Sequence, residues 1–152
     1  TKKRTQFNRM INDAYAGKFK LIIICTKFNK KFQNFVNNQI SFLSKNDKLT
    51  KETLPDGMLE EILTFIRSID QDIIQNIYLV RKTVSETFFA SVFIIHFYGG
   101  TDAQRDEIMH KIFRFLDSHP SDWQFSLFDY FEYPEVKVEK IEGSLVFSKE
   151  KV

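Results

Sequence analysis

Two apolar stretches decide the fold, IIQNIYLVRK at residues 73–82 and ETFFASVFIIHFY at residues 86–98. Both are rich in β-branched and aromatic residues, and a short turn near residues 83–86 separates them. They therefore predict two neighbouring strands joined directly. The stretches WQFSLFDYF (123–131) and VKVEKIEGSLVF (136–147) predict two more strands.

Helical patterns alternate with these strands. Apolar residues recur at helical spacing over 56–68, with Asp56 as the expected N-cap, and again over 102–117, where Asp102 is the expected cap. The resulting order predicts an α+β fold, with a mostly antiparallel sheet and helices on one face. Upstream, residues 5–46 predict a helix–strand–helix segment built around the apolar strand 19–26.

Charge divides the chain into two parts. Residues 1–51 carry twelve Lys and Arg against two acids, a net charge of +10, whereas residues 52–152 carry ten against eighteen, a net charge of −8. The polar stretch 44–57 contains Pro55 and Gly57, which are typical of a connection. We therefore expect a basic helix–strand–helix segment at 1–47, a linker at 48–57 and an acidic α+β domain at 58–152.

The first segment contains RTQFNRMINDAYAGKFKLII at residues 4–23. With the basic residues that follow, it resembles, over residues 4–34, the middle of the catalytic domain of serine recombinases, the resolvases and invertases. In that family the pattern is a helix, a Gly-Lys turn, a buried strand and a basic helix entry. The alternative is an ordinary helix–strand–helix whose Gly17-Lys18 turn matches by chance.

The departures from the family pattern argue against recombinase chemistry. The family's serine nucleophile lies upstream of this match, and nothing here precedes Thr1. Where the family carries transition-state arginines, this chain has Lys30 and Lys31, which lack the planar fork of arginine. Nucleophilic attack and charge stabilisation would both be missing. The resemblance therefore implies a recombinase remnant.

Residues 54–147 resemble the C-terminal domain of the enhanced-serine-sensitivity protein family. The similarity rests on Leu54-Pro55 before an apolar helix, on strands 77–79 and 91–97, on the helix at Asp102 and on the ending Gly143–Phe147. The resemblance implies a small α+β domain, and it carries no catalytic residues over to this chain.

Tests for enzymatic or cofactor chemistry give little. The three histidines lack the spacing of a metal site, no phosphate- or dinucleotide-binding motif occurs, and Gly99-Gly100-Thr101 before a helix indicates a turn, with anion binding as the weaker alternative. We predict no cofactor, no metal and no enzymatic activity. A deep pocket lined by His96 together with Asp or Glu would instead favour an enzyme. The lone Cys25 favours a reducing cytosol, and no apolar stretch approaches the length of a membrane span.

Two binding functions remain. The favoured one is a cytosolic binding or accessory domain that contacts an unidentified protein partner through an acidic, aromatic surface formed by Phe128, Asp129, Tyr130, Glu132 and Tyr133. The alternative is a degenerate, recombinase-derived protein that binds duplex DNA through Lys3, Arg4, Arg9, Lys27, Lys30 and Lys31. A homodimer through an exposed strand edge is compatible with either.

Overall fold

A computed structural model describes residues 41–85, 88–119 and 123–149. Its elements, in chain order, are β1 (Lys48–Lys51), α1 (Met58–Ile69), β2 (Ile74–Thr83), β3 (Phe89–Phe97), α2 (Asp102–Asp117), β4 (Phe125–Asp129) and β5 (Leu145–Ser148). Two 3₁₀ turns, Tyr130–Glu132 and Val138–Lys140, lie between β4 and β5. Residues 1–40 are outside the described residues. The recombinase-like stretch and most of the predicted helix–strand–helix fall there.

The sheet is organised around the β2–β3 pair. These strands are antiparallel, from Ile74 opposite Phe97 to Thr83 opposite Phe89. On the other edge of β2, β1 pairs with residues 80–83 and β5 with residues 76–78, both antiparallel. Strand β4 runs parallel to β3 because α2 carries the chain back across the sheet. The prediction of a mostly antiparallel α+β fold is confirmed.

Both helices pack on one face of the sheet, as predicted. Residues Ile77 and Leu79 of β2 and Phe93 and Ile95 of β3 alternate toward this face. They meet the apolar stripes of α1 and α2, which contribute Ile62, Leu63, Ile66, Ile108, Ile112 and Leu116. This main core explains the helical spacing of apolar residues in both helices.

The opposite face of the sheet is also covered. Tyr78, Val80, Val92 and Ile94 pack there in a second core with residues from outside the sheet's centre, namely Leu43, Phe128, Val136 and Val138. Because both faces of β3 are buried, its sequence is mostly apolar instead of alternating, with Ser91 and His96 as the polar exceptions. The irregular chain from Tyr130 to Ile141 therefore replaces a second layer of helices.

The segment 48–57 is part of the sheet, not the predicted linker. It contains β1, whose mostly exposed residues leave no apolar pattern to read in the sequence, and it buries Leu54 in the main core. Its Glu52 side chain is fully buried. The Glu52 carboxylate accepts hydrogen bonds from Arg81 (Nη2–Oε1 2.9 Å) and Ser91 (Oγ–Oε2 2.8 Å), and so ties this segment to β2 and β3.

Three boundaries also differ from the sequence prediction. Thr101, not Asp102, is the N-cap of α2, and Gly57, not Asp56, is that of α1. The predicted strand 136–147 is a strand over Leu145–Ser148, since residues 138–140 form a 3₁₀ turn that buries Val138 against the sheet.

In the described part of the chain, neither helix has the length and apolar character to cross a bilayer.

Candidate functional site

A cleft lies where the two parallel strands end. Parallel strands direct their carboxyl ends to the same edge, and Ile95 of β3 stands opposite Asp129 of β4 at that edge. From there β3 continues into the turn before α2, and β4 continues into the first 3₁₀ turn. The space between these two continuations measures about 690 Å³. Crevices at the carboxyl ends of strands are common ligand sites in open sheets.

The lining of the cleft is acidic. Four carboxylates face it, from Asp102, Asp106, Asp129 and Glu132. Among the described residues that line it, the permanent cation is Arg105, so four negative charges meet one positive charge, a net of −3. The Arg105 guanidinium is already used within the protein: it donates to the carbonyls of Gly99 (3.0 Å) and Gly100 (2.6 Å) and pairs with Asp102.

Two of the four carboxylates have neither an ion pair nor a structural hydrogen bond among the described residues. Asp106 and Glu132 are exposed, and neither forms an ion pair within residues 41–85, 88–119 and 123–149. Asp129 has a structural role, since its Oδ1 accepts the backbone N–H of Phe131 at 2.9 Å and caps the 3₁₀ turn. The cleft thus offers two carboxylates to a ligand.

Aromatic rings complete the lining. Tyr98 is 72% exposed and Phe131 64% exposed, both unusually high for large apolar side chains. His96 stacks on Tyr130 with ring centroids 4.4 Å apart, and it meets Phe131 edge-on at 5.1 Å. The lining therefore combines acidic and aromatic side chains.

His96 adds no full positive charge at neutral pH. Burial lowers the pKa of its imidazole from the ordinary value of 6.5. The Asp129 and Glu139 carboxylates raise this pKa, but by less than burial lowers it. Its Nδ1 lies 3.4 Å from the Asn76 amide nitrogen. Nearby, burial and then Glu139 raise the pKa of the Tyr130 hydroxyl, which donates to Glu139 Oε2 at 3.3 Å.

The lining also brings titratable side chains together. The cleft is lined by His96 together with acidic side chains, as a candidate enzyme site would require, but it is open and not the deep pocket that the sequence analysis set as the condition. Acid–base work by paired carboxylates needs different environments for the two. Asp102, Asp106 and Glu132 are exposed, and Asp129 is half-buried. Within the described part of the chain, no group of three His, Cys, Asp or Glu residues is placed to hold a metal ion.

The residues of the predicted interaction surface lie partly at the cleft and partly elsewhere. Asp129 and Glu132 line it, and Tyr130 stacks beside it. Phe128 is instead 7% exposed, because it points into the second core, where it packs edge-on against Tyr133 at 5.1 Å. The six predicted DNA contacts (Lys3, Arg4, Arg9, Lys27, Lys30 and Lys31) lie outside the described residues.

The sequence analysis missed the half of the cleft formed by the end of β3, the turn after it and the start of α2. At the Gly99-Gly100-Thr101 turn, Thr101 and Gln104 form a reciprocal capping box, so two backbone amides of the helix start, those of Thr101 and Gln104, already have partners. Asp102 and Asp106 add negative charge beside it, which disfavours an anion there. The available signal was the pair Asp102 and Asp106, one helical turn apart, after a strand that ends in an exposed Tyr98.

Comparison with known proteins gives no further guide. The chain matches no protein-family model, no curated protein and no solved structure. The resemblances to serine recombinases and to the enhanced-serine-sensitivity family therefore stay predictions from the sequence.

Proposed function

We propose that this chain is a non-enzymatic protein-binding domain whose cleft accepts a basic segment of a partner. The observation that carries the proposal is the lining itself: four carboxylates, one guanidinium engaged internally, and two exposed aromatic rings. A cytosolic setting is part of the proposal on the strength of the lone Cys25.

Lysine and arginine suit such a lining for two reasons. Their charges are attracted to the carboxylates, and they bind favourably over the faces of aromatic rings. Their long aliphatic stems can also cover Tyr98 and Phe131 while the charged heads stay hydrated. Each exposed ion pair contributes about 0.2–1 kcal/mol. We therefore expect weak, salt-sensitive binding that needs several contacts.

The test is a titration of fluorescein-labelled hexa-arginine with the intact chain, in low and in physiological salt. Binding is monitored by the fluorescence anisotropy of the peptide. The Asp106→Asn/Glu132→Gln variant is expected to bind about five- to tenfold more weakly, since two exposed pairs amount to about 1–1.4 kcal/mol. The matched control is Glu107→Gln/Glu135→Gln, which removes the same charge from exposed neighbours outside the cleft. Equal weakening in both variants, or no binding at all, would contradict the proposal.

A second candidate function rests on the charge of the first segment. Residues 1–40 carry nine Lys and Arg against one acid, a net charge of +8, which suits contact with a phosphate backbone. Titration of the intact chain with duplex DNA, from low to physiological salt, tests it. Steeply salt-dependent binding would support a recombinase-derived DNA-associated protein, and absence of binding at low salt would remove this candidate.

A further inference from the structure

We propose that the basic segment of the partner binds as an extended strand, paired antiparallel with the free edge of β4. This inference rests on the proposed function and adds to it the conformation and side-chain pattern of the partner. In the sheet, β1 and β5 share one edge, where both pair with β2, and β4 forms the opposite edge.

The two edges differ in their protection against an added strand. Strand β1 carries the exposed Lys48 and Lys51, and β5 is four residues long with an irregular register. Edge lysines, short strands and bulges all discourage pairing with another chain. Strand β4 (FSLFD) contains no Lys, Arg or Pro, and among the described strands it pairs with β3 alone. An extended partner is therefore more readily added at β4.

The backbone of β4 presents a row of unused hydrogen-bonding groups. The Ser91 N–H donates to the Gln124 carbonyl at 2.9 Å, and the register places Ser91 opposite Phe125. Backbone groups of alternate residues point to opposite edges of a strand, so those of Phe125, Leu127 and Asp129 point away from β3. In the part of the chain that the structure describes, no backbone group bonds to them from that side. An extended peptide satisfies such a row by adding one strand to the sheet.

The same three residues of β4 share one face of the sheet. Phe125 and Leu127 pack against the main core, so this is the face that carries the helices, and Asp129 lines the cleft there. In an antiparallel pair, residues that exchange both backbone hydrogen bonds stand directly opposite each other, with their side chains on one face. The partner residues bonded to β4 therefore direct their side chains to the side of the sheet on which α2 lies.

The flank of α2 beside β4 changes from acidic to apolar along its length. One stripe of the helix, defined by spacings of four, three and four residues, contains Asp102, Asp106, Met109 and Phe113. Asp102 and Asp106 line the cleft with Asp129, so this stripe is directed toward β4. Because β3 and β4 are parallel, α2 runs opposite to β4, and its apolar part, with Phe113 55% exposed, lies toward the beginning of β4. From Asp106 to Phe113 the helix rises about 10 Å, and β4 is about 13 Å long.

These two elements define the pattern of the partner segment. A residue opposite Asp129 lies beside the carboxylates of Asp106 and Glu132 as well, which suits Lys or Arg. Residues opposite Leu127 and Phe125 lie beside the apolar part of α2, which suits β-branched side chains. Antiparallel pairing is the more stable kind, and it runs from the carboxyl end of β4 to its beginning. The partner therefore reads, from its amino end, basic-x-apolar-x-apolar.

The direct test uses a fluorescein-labelled heptapeptide, Arg-Thr-Arg-Thr-Val-Thr-Val, titrated with the intact chain in low salt. N-methylation of its third and fifth residues blocks the amides that face β4 and should weaken binding about tenfold. N-methylation of its fourth and sixth residues, whose amides face away, should change the affinity less than about twofold. The two forms have the same charge and side chains, so equal weakening in both would overturn the inference. Tighter binding of the reversed sequence, Val-Thr-Val-Thr-Arg-Thr-Arg, would overturn the antiparallel direction.

Amide hydrogen exchange of the ¹⁵N-labelled chain tests the same edge from the protein side. The N–H groups of Leu127 and Asp129 should exchange several-fold more slowly when the heptapeptide is bound. Those of Ser126 and Phe128, which face β3, should be slow with and without it. If the amides of Leu127 and Asp129 are already slow in the free chain and become faster on dilution, a second copy of the chain occupies the edge and the inference is overturned.

Hexa-arginine separates this inference from the proposed function. If hexa-arginine binds and Asp106→Asn/Glu132→Gln weakens it, while the two N-methylated heptapeptides bind alike, the cleft accepts basic segments without strand pairing. The proposed function then stands and the inference fails. If neither hexa-arginine nor the heptapeptide binds, the proposed function fails and the inference with it.

Discussion

The buried Glu52–Arg81 pair predicts an asymmetric response to mutation. The Glu52 side chain is 0% exposed, whereas that of Arg81 is 37% exposed and lies over the Phe89 ring, 4.0 Å from its centroid. Loss of arginine leaves a carboxylate with no access to water, but loss of the carboxylate leaves a guanidinium that water can reach. We therefore expect Arg81→Met to destabilise the fold much more than Glu52→Gln.

The magnitudes follow from the contacts. Removal of one partner of a buried ion pair typically costs 3–5 kcal/mol. Arg81 is partly exposed, and Glu52 keeps its bonds from Ser91 Oγ (2.8 Å) and from the backbone N–H of Thr53 (2.9 Å), so we expect about 3 kcal/mol for Arg81→Met. For Glu52→Gln, which keeps shape and loses charge, we expect about 1 kcal/mol.

The assay is urea unfolding, followed by circular dichroism and by the fluorescence of Trp123, the sole tryptophan of the chain. The decisive variant is the double one, Glu52→Gln/Arg81→Met, which removes the buried charge together with its partner. It should be more stable than Arg81→Met alone, and since both lack the contact with Phe89, that term cancels. Equal costs for the two single variants, or a double variant less stable than Arg81→Met, would refute the reasoning.

Three further predictions concern the core, a helix start and the effect of pH. Phe93→Ala, at a fully buried position, should cost about 3–5 kcal/mol in urea unfolding, whereas Phe113→Ala, at a side chain 55% exposed, should stay within about 0.5 kcal/mol; similar costs would contradict the packing. Thr101→Ala removes the capping box of α2 and should cost about 1 kcal/mol, and an unchanged unfolding midpoint would show that the box contributes nothing. Because the pKa of His96 is lowered in the folded state, the unfolded state binds more protons between that lowered pKa and 6.5, so folding stability should fall as pH drops below 6.5. The His96→Asn variant should lose part of this dependence, and an identical slope would contradict the stated effect of burial.

Much of the fold could be read from the sequence because burial on both faces leaves a strong pattern. The apolar runs at 73–82 and 86–98 correspond to β2 (Ile74–Thr83) and β3 (Phe89–Phe97), and the helical stripes correspond to α1 and α2. Strand β1 was missed because it pairs at the edge of β2 and buries little of its own surface. The parallel pairing of β4 with β3 could not be read either, since side-chain alternation is the same in parallel and antiparallel strands.

The cleft was predictable only in part for a related reason. The acidic, aromatic stretch 125–133 indicated a binding surface, and Asp129 and Glu132 do line the cleft. Its other wall, with Tyr98 and Asp106, lies more than twenty residues upstream, and only the return of the chain through α2 brings the two together. Phe128 was assigned to the surface because period-two alternation does not say which side of a strand is covered.

The most direct measurement is an amide NMR titration of the ¹⁵N-labelled intact chain with unlabelled hexa-arginine in low salt. If the cleft accepts basic segments, the largest shifts within the described part of the chain will fall at residues 96–106 and 129–132, and they will shrink as salt is raised. Shifts spread evenly over the acidic surface, or shifts absent from both of these stretches, would contradict a basic-segment site in the cleft.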